Sequence, residues 1–304
     1  MYTCQTLCQS ENGNPVPILT ITSSGLSSPS NSSSLPGISP SQSAQLLNSS
    51  QNGGSLPCST NASGSSLANL YKSQQQQQKP YVLLTSRVHP GETNSSWMMR
   101  GVIAFLLSDT ASAKRARQNF IFKIVPMLNV DGVINGNHRC SLFGDDLNRS
   151  WTRPTETLAP SILHTKRLMA WLRWRRKPLL CYVDFHGHSR KKNIFFLGCN
   201  PSQSWRKRDI ANPAVDPVTG EEDTRWRLLP VLLAATSPIF SLADCCFVIE
   251  KAKEPTARVV TWRQVGLVPT YTMEATFCGF DTGTFRGLQV TPTHLQDVGA
   301  DLCR

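Results

Sequence analysis

His89 and Glu92 stand three residues apart in the stretch SRVHPGET, residues 86–93. An imidazole and a carboxylate at that spacing can reach one cation together where the backbone turns. Pro90 pushes His89 out of helical conformations, so the pair belongs on a turn. That separates it from HExxH sequences, in which two histidines share one helix face. Taken alone, the pair could equally be an ordinary histidine and a glutamate at a helix start. A second cluster, VDFHGHS, changes the balance: His186 leaves an apolar run, and Gly187 lets the backbone approach closely. His89, Glu92 and His186 then form a His2Glu donor set with a fourth position left for water, and such donors suit zinc. Asp184 falls on the same strand face as His186 and can hold its ring from behind. His188 reads as a polar neighbour of the set, not as a ligand.

The third cluster, NGNHRCSLFGDDLNRSW, supplies Arg139, Asn148 and Arg149. A planar guanidinium matches a carboxylate in two-pronged geometry, and an adjacent amide can satisfy a remaining oxygen. Two arginines beside a metal suggest two tasks, anchoring a terminal carboxylate and polarising a carbonyl. Surface solvation suits Arg153 and Arg175 better. Glu274 lies in YTMEAT, where Tyr271, Met273 and Ala275 share one face and Thr272, Glu274 and Thr276 the other. A carboxylate alone in an apolar strand is costly unless paired or functional. A general base beside an activated water would account for it.

These residues need a frame. YVLLTSRV (81–88), FIFKIVPML (120–128), LLCYVDF (179–185), NIFFLG (193–198), FVIEK (247–251) and YTMEAT (271–276) read as strands, as does PVPILTIT (15–22). A helix is expected from an Asn94 N-cap through SSWMMRGVIAFLLSD, a basic amphipathic one from Ser161 to Lys177, and another beginning in WRLLPVLLAAT. Asn129-Val-Asp-Gly reads as a turn. Strands alternating with helices imply an α/β fold: a mixed, mainly parallel central sheet with helices on both faces. The clusters follow strands, which is where open α/β sheets place their sites.

The 304 residues suffice for one large α/β domain, since a single core can absorb about 250 residues. Residues 1–22 form its first strand region. Residues 23–79, Ser/Asn/Gly-rich and ending near QQQQQ, read as a disordered insertion, and 80–304 as the main body. The net charge of +11 predicts attraction to something acidic. No stretch approaches about 18 uninterrupted apolar residues, so no membrane span is expected, and the polar opening lacks a secretory signal. Several of the ten cysteines sit in apolar runs and read as reduced thiols of a cytosolic protein. The sequons at Asn31, Asn48, Asn61 and Asn94 then carry no glycan signal. Trp171 and Trp174 on the basic helix read as packing residues, and nucleic acid is not an expected partner.

HPGE, GNHR, DLNR, DFHGHS and YTME, in that order, resemble the zinc metallocarboxypeptidases and within them the cytosolic carboxypeptidases that deglutamylate tubulin. The likeness extends through KIVPMLNVDGVINGNHRCSL, HSRKKN and KEPTARVV. It implies one zinc ion on His89, Glu92 and His186, a terminal carboxylate held by Asn148 and Arg149, and an oxyanion stabilised by Arg139. It further implies Glu274 as general base and Arg258 lining a pocket for a glutamate side chain. The implied substrates are polyglutamylated tubulin or other acidic tails, in a cytoplasmic setting associated with microtubules or cilia. Val130 stands where the family has proline. Members also carry a β-sandwich domain before the catalytic one, which this chain is expected to lack, and its last residues read as a helix cut short. The competing readings are a truncated, non-catalytic binder of acidic tails and an amidohydrolase acting on small acylated amino acids.

Overall fold

The computed structural model describes residues 2–23, 78–212, 215 and 219–304. The expected disordered insertion therefore lies outside the described residues, apart from its ends. Seven strands form one sheet: β1 Tyr2–Gln9, β2 Pro15–Ile21, β3 Tyr81–Ser86, β4 Ile121–Val125, β5 Leu179–His188, β6 Ile194–Leu197 and β7 Thr270–Thr276. Their order is β1-β2-β4-β3-β5-β7-β6. The centre, β4-β3-β5-β7, is parallel, and β1, β2 and β6 are antiparallel at the flanks. The expected mixed sheet with a parallel core is what forms.

Among the described residues eight α-helices accompany the sheet: α1 Thr93–Leu107, α2 Ala111–Asn119, α3 Val130–Ile134, α4 Pro160–Trp174, α5 Lys207–Ala211, α6 Leu228–Thr236, α7 Ala257–Val260 and α8 Pro292–Asp301. Parallel strands covered on both faces need apolar residues on both faces, hence the near-continuous run of β3. Leu84 packs with α1, α2 and α8 on one side, while its neighbour Leu83 packs with α4 and α7 on the other. Along β7, Tyr271, Met273 and Ala275 enter the first of these cores, as their alternation predicts. The crossing of α1 with α8 is close because Gly101 lies against the backbone of Gln296 and Gly299 against that of Met98. A side chain at either position would push the helices apart.

Four local readings need correction or extension. Asn94 does not cap α1. The cap position is Glu92, and Asn94 is buried in the first turn, donating from Nδ2 to the carbonyls of Ala275 (3.2 Å) and Thr276 (2.6 Å). Buried carbonyls at the end of β7 need donors, and losing such a pair typically costs about 1–3 kcal/mol. FVIEK does not extend the sheet. Cys246 and Phe247 bond to the β6 side and Ile249 to Gln203 and Trp205, so no continuous ladder can form. The Asn129 turn continues into the short helix α3, with Asn129 Oδ1 accepting from Gly132 N at 3.0 Å. Finally, β1 and α2 were not legible, because β1 buries only Leu7 fully and α2 only Ala113 and Ala116.

Candidate active site

The carboxyl ends of β3, β5 and β7 lie side by side. Their register sets Thr85 beside Asp184 and His186 beside Glu274. The turn after β3 carries His89 and Glu92. Arg87, at φ 53°, straps that turn by donating to the Pro90 carbonyl and to Ser96 Oγ. Gly91 N donates to the His138 carbonyl at 2.8 Å, and a Cβ at Gly91 would sit 2.7 Å from that oxygen. Glycine is thus required where this turn meets the loop bearing Arg139.

His89, Glu92 and His186 converge. His89 Nδ1 lies 2.7 Å from Glu92 Oε1 and His186 Nδ1 lies 3.0 Å from Glu92 Oε2. One ligand atom from each of the three falls within 4.8 Å of the others. The far side of each ring is also held. His89 Nε2 is 3.0 Å from Asp146 Oδ1, and His186 Nε2 is 2.8 Å from Asp184 Oδ2. Asp184 in turn accepts from Thr85 Oγ1 at 2.6 Å. Two rings backed by carboxylates, with both Nδ1 atoms turned toward a third carboxylate, match the way proteins orient histidines around a metal. The donor set is the one expected for zinc.

The electrostatics agree. Burial opposes ionisation of Glu92, but the charges and hydrogen bonds of His186 and His89 outweigh it and hold the carboxyl well below the usual carboxylate range. Burial likewise opposes ionisation of Asp146. His89, then Arg139 and Arg149, outweigh it and keep this carboxyl low as well. His186 is driven the other way: burial disfavours its charge, yet Asp184 and Glu92 raise it well above an ordinary imidazole. Three carboxylates around two imidazoles call for positive charge. A dication supplies it once the ring nitrogens give up their protons.

Glu274 differs from these. No described residue makes a hydrogen bond to its carboxylate, and burial, reinforced by Glu92 and Asp184 against the pull of His186 and His89, raises it to about 7. The site opens into a cleft of about 420 Å³ lined by the ligand set, Glu274 and five cations: Arg139, Arg149, Arg190, Lys253 and Arg258. Arg139 donates from Nε (3.0 Å) and Nη2 (2.8 Å) to Asp146, leaving Nη1 3.9 Å from Glu92 Oε1. Asn148 Oδ1 accepts from Ala257 N at 2.9 Å, which fixes the amide and leaves its NH2 available to the cleft. Arg149 donates to the Asn148 carbonyl at 3.0 Å. Arg258, on α7, is buried and bonds the Gly198 carbonyl. His89, Glu92, Arg139, Asn148, Arg149, His186, Arg258 and Glu274 all line this one cleft, while Asp184 lies behind it against His186. His188 lines it too, outside the ligand set. Asp146 was missed, because the contact that gives it weight is with His89, 57 positions away.

The family model for zinc carboxypeptidases matches residues 1–217. The chain belongs to that family. The match spans His89, Glu92, Arg139, Asn148, Arg149 and His186, while Arg258 and Glu274 lie beyond it. The resemblance to cytosolic carboxypeptidases also holds. The chain is 50% identical over 226 residues to human (Homo sapiens) cytosolic carboxypeptidase 1, covering 74% of this chain and 18% of that protein. It is 46% identical over 226 residues to mouse (Mus musculus) cytosolic carboxypeptidase 4, covering 74% and 20%. The chain thus spans about a fifth of the length of these relatives. Among solved structures, a metallo-carboxypeptidase from Burkholderia cenocepacia superposes with a TM-score of 0.67 at 18% identity, over 99% of this chain and 63% of that one. That likeness establishes the fold.

Proposed function

We propose that this chain is a zinc-dependent metallocarboxypeptidase that releases C-terminal or side-chain-linked glutamate from acidic protein tails in the cytosol, with polyglutamylated tubulin tails as the expected substrate. The observation that carries the reading is Glu274: a carboxylate without a hydrogen bond, raised toward neutrality by burial, on the strand register beside His186. A structural carboxylate would be paired. A base waiting for a proton would not.

His89, Glu92 and His186 would hold the ion, with Asp146 and Asp184 fixing the rings. Zinc bound there supplies Lewis-acid polarisation of the scissile carbonyl and of an attacking water. Glu274 takes the water's proton as the new C–O bond forms, then passes it to the leaving amine as the C–N bond breaks, so protons balance over the cycle. Its position near neutrality suits both transfers. Arg139, oriented by Asp146, faces the charge developing on the carbonyl oxygen. Losing one such donor typically costs about 10²–10³ in rate. Asn148 and Arg149 would hold the terminal carboxylate. Arg258, with one nitrogen fixed on the Gly198 carbonyl, has donors left for a glutamate side chain. Five cations in the cleft against Glu92 and Glu274 favour an anionic substrate, as does the net charge of +11.

The test compares peptides that differ only in their last residue. Release of terminal glutamate from a polyglutamylated tail peptide should exceed release of terminal leucine or lysine, and Arg258→Leu should erase that preference. Equal release of all three would contradict the substrate assignment. Turnover of acylated amino acids but not of peptides would favour the amidohydrolase.

A further inference from the structure

Glu274 has no tether of its own. No described residue hydrogen-bonds its carboxylate, so that group is placed by the β7 backbone and the walls around it. β7 ends two residues later, at Thr276, where the sheet ladder runs out. Three contacts pin the strand there. Phe277 N donates to the His188 carbonyl and Thr276 N to the Asn193 carbonyl, each at 3.1 Å. Both are backbone bonds, which many sequences could make. The third is a side chain: Asn94 Nδ2 donates to the carbonyls of Ala275 (3.2 Å) and Thr276 (2.6 Å). Thr276 is thus held at its N–H and at its C=O.

Asn94 comes from the segment that carries Glu92, and the backbone is fixed there. The Glu92 carbonyl accepts from Ser95 N at 3.1 Å and from Ser95 Oγ at 2.7 Å, and Thr93 N donates to the Gly91 carbonyl at 3.0 Å. Asn94 lies inside this turn and is buried. A chain of fixed contacts therefore runs from Glu92, through residues 93–95, to the backbone one and two positions past Glu274. We propose that Asn94 is a positioning residue for the general base, setting Glu274 against the His89–Glu92–His186 set. This rests on the reading of Glu274 given above. The need follows from the chemistry: a carboxylate that takes a proton and returns it must stay free of structural hydrogen bonds, so its backbone has to be held instead. Displacing a reacting group by about 1 Å can cost about 10²-fold in rate.

The test uses the full chain and follows kcat, KM, zinc affinity and unfolding temperature for N94A, N94S, E274Q and N94A/E274Q. V102A, which opens a cavity on the buried face of α1, serves as the stability control. N94A should lower kcat for glutamate release about 10–100-fold, with KM and zinc affinity within about twofold of the wild type. N94S should lose less, since its hydroxyl can still donate to one carbonyl, and it carries the same comparison if N94A does not fold. In the E274Q background the Asn94 substitution should cost no more than about twofold, because the group it places is gone. V102A should unfold at a lower temperature with kcat undiminished. Wild-type kcat in N94A, an equal loss in both backgrounds, or a V102A variant as slow as N94A overturns the positioning role and leaves the glutamate-releasing function intact. An E274Q variant as active as the wild type overturns the base, and the positioning role with it.

Discussion

Two cavities of nearly equal volume sit at opposite ends of β5. One, at His186–His188, encloses about 420 Å³; the other, at Leu179, encloses about 430 Å³. Both are basic. The second is lined among the described residues by Arg173, Arg176 and Lys177 together with Met169, Val265 and Leu267, and by no carboxylate or histidine. Two of its three cations are turned to structural partners: Arg173 bonds the Val265 carbonyl and Lys177 bonds Gln78. In the first cavity the two histidine rings are held from behind by Asp146 and Asp184, so that both Nδ1 atoms turn toward Glu92. Volume does not make a site. What differs is that three parallel strands end together at one cavity, so their last residues converge, whereas the other receives strand beginnings and a helix end.

This contrast can be sharpened by substitution. The larger effect is expected at Asp146, which touches no substrate in this account but fixes the His89 ring at 3.0 Å. Asp146→Asn keeps the shape and removes the charge, and should weaken zinc binding about 10–100-fold in a competition with a chelator of known affinity. Unchanged affinity would mean that the ring is oriented by packing alone. The smaller effect, in effect none, is expected at the other cavity. Arg176→Gln should leave glutamate release and zinc content unaltered and shift stability by no more than about 0.5 kcal/mol. A loss of turnover there would show that the second cavity communicates with the first.

The parts legible in sequence were those where a local pattern carries the physics. Leu83 and Leu84 both had to be apolar because β3 is covered on two faces, and the run YVLLTS says so directly. His89, Glu92, His186 and Glu274 stood out because each is a polar residue at or just past the end of such a run. Asp146 did not stand out, for DDLNR offers two aspartates and only the fold turns one of them toward a histidine 57 positions away. Asn94 looked like a helix cap, and its actual partners lie more than 180 residues downstream. FVIEK has a strand's composition, but its hydrogen bonds are divided between β6 and the loop at Gln203–Trp205. Sequence pattern reports burial well. It reports the partner of a polar group poorly.

The most direct test of the central claim is zinc content and glutamate release measured on the same preparations of the wild-type chain and Glu274→Gln. The account predicts one zinc per chain in both, with release from a polyglutamylated tail peptide by the wild type alone and a loss of about 10²–10⁴ in the variant. A folded, zinc-loaded wild type that releases no glutamate, or a Glu274→Gln variant as active as the wild type, would contradict it.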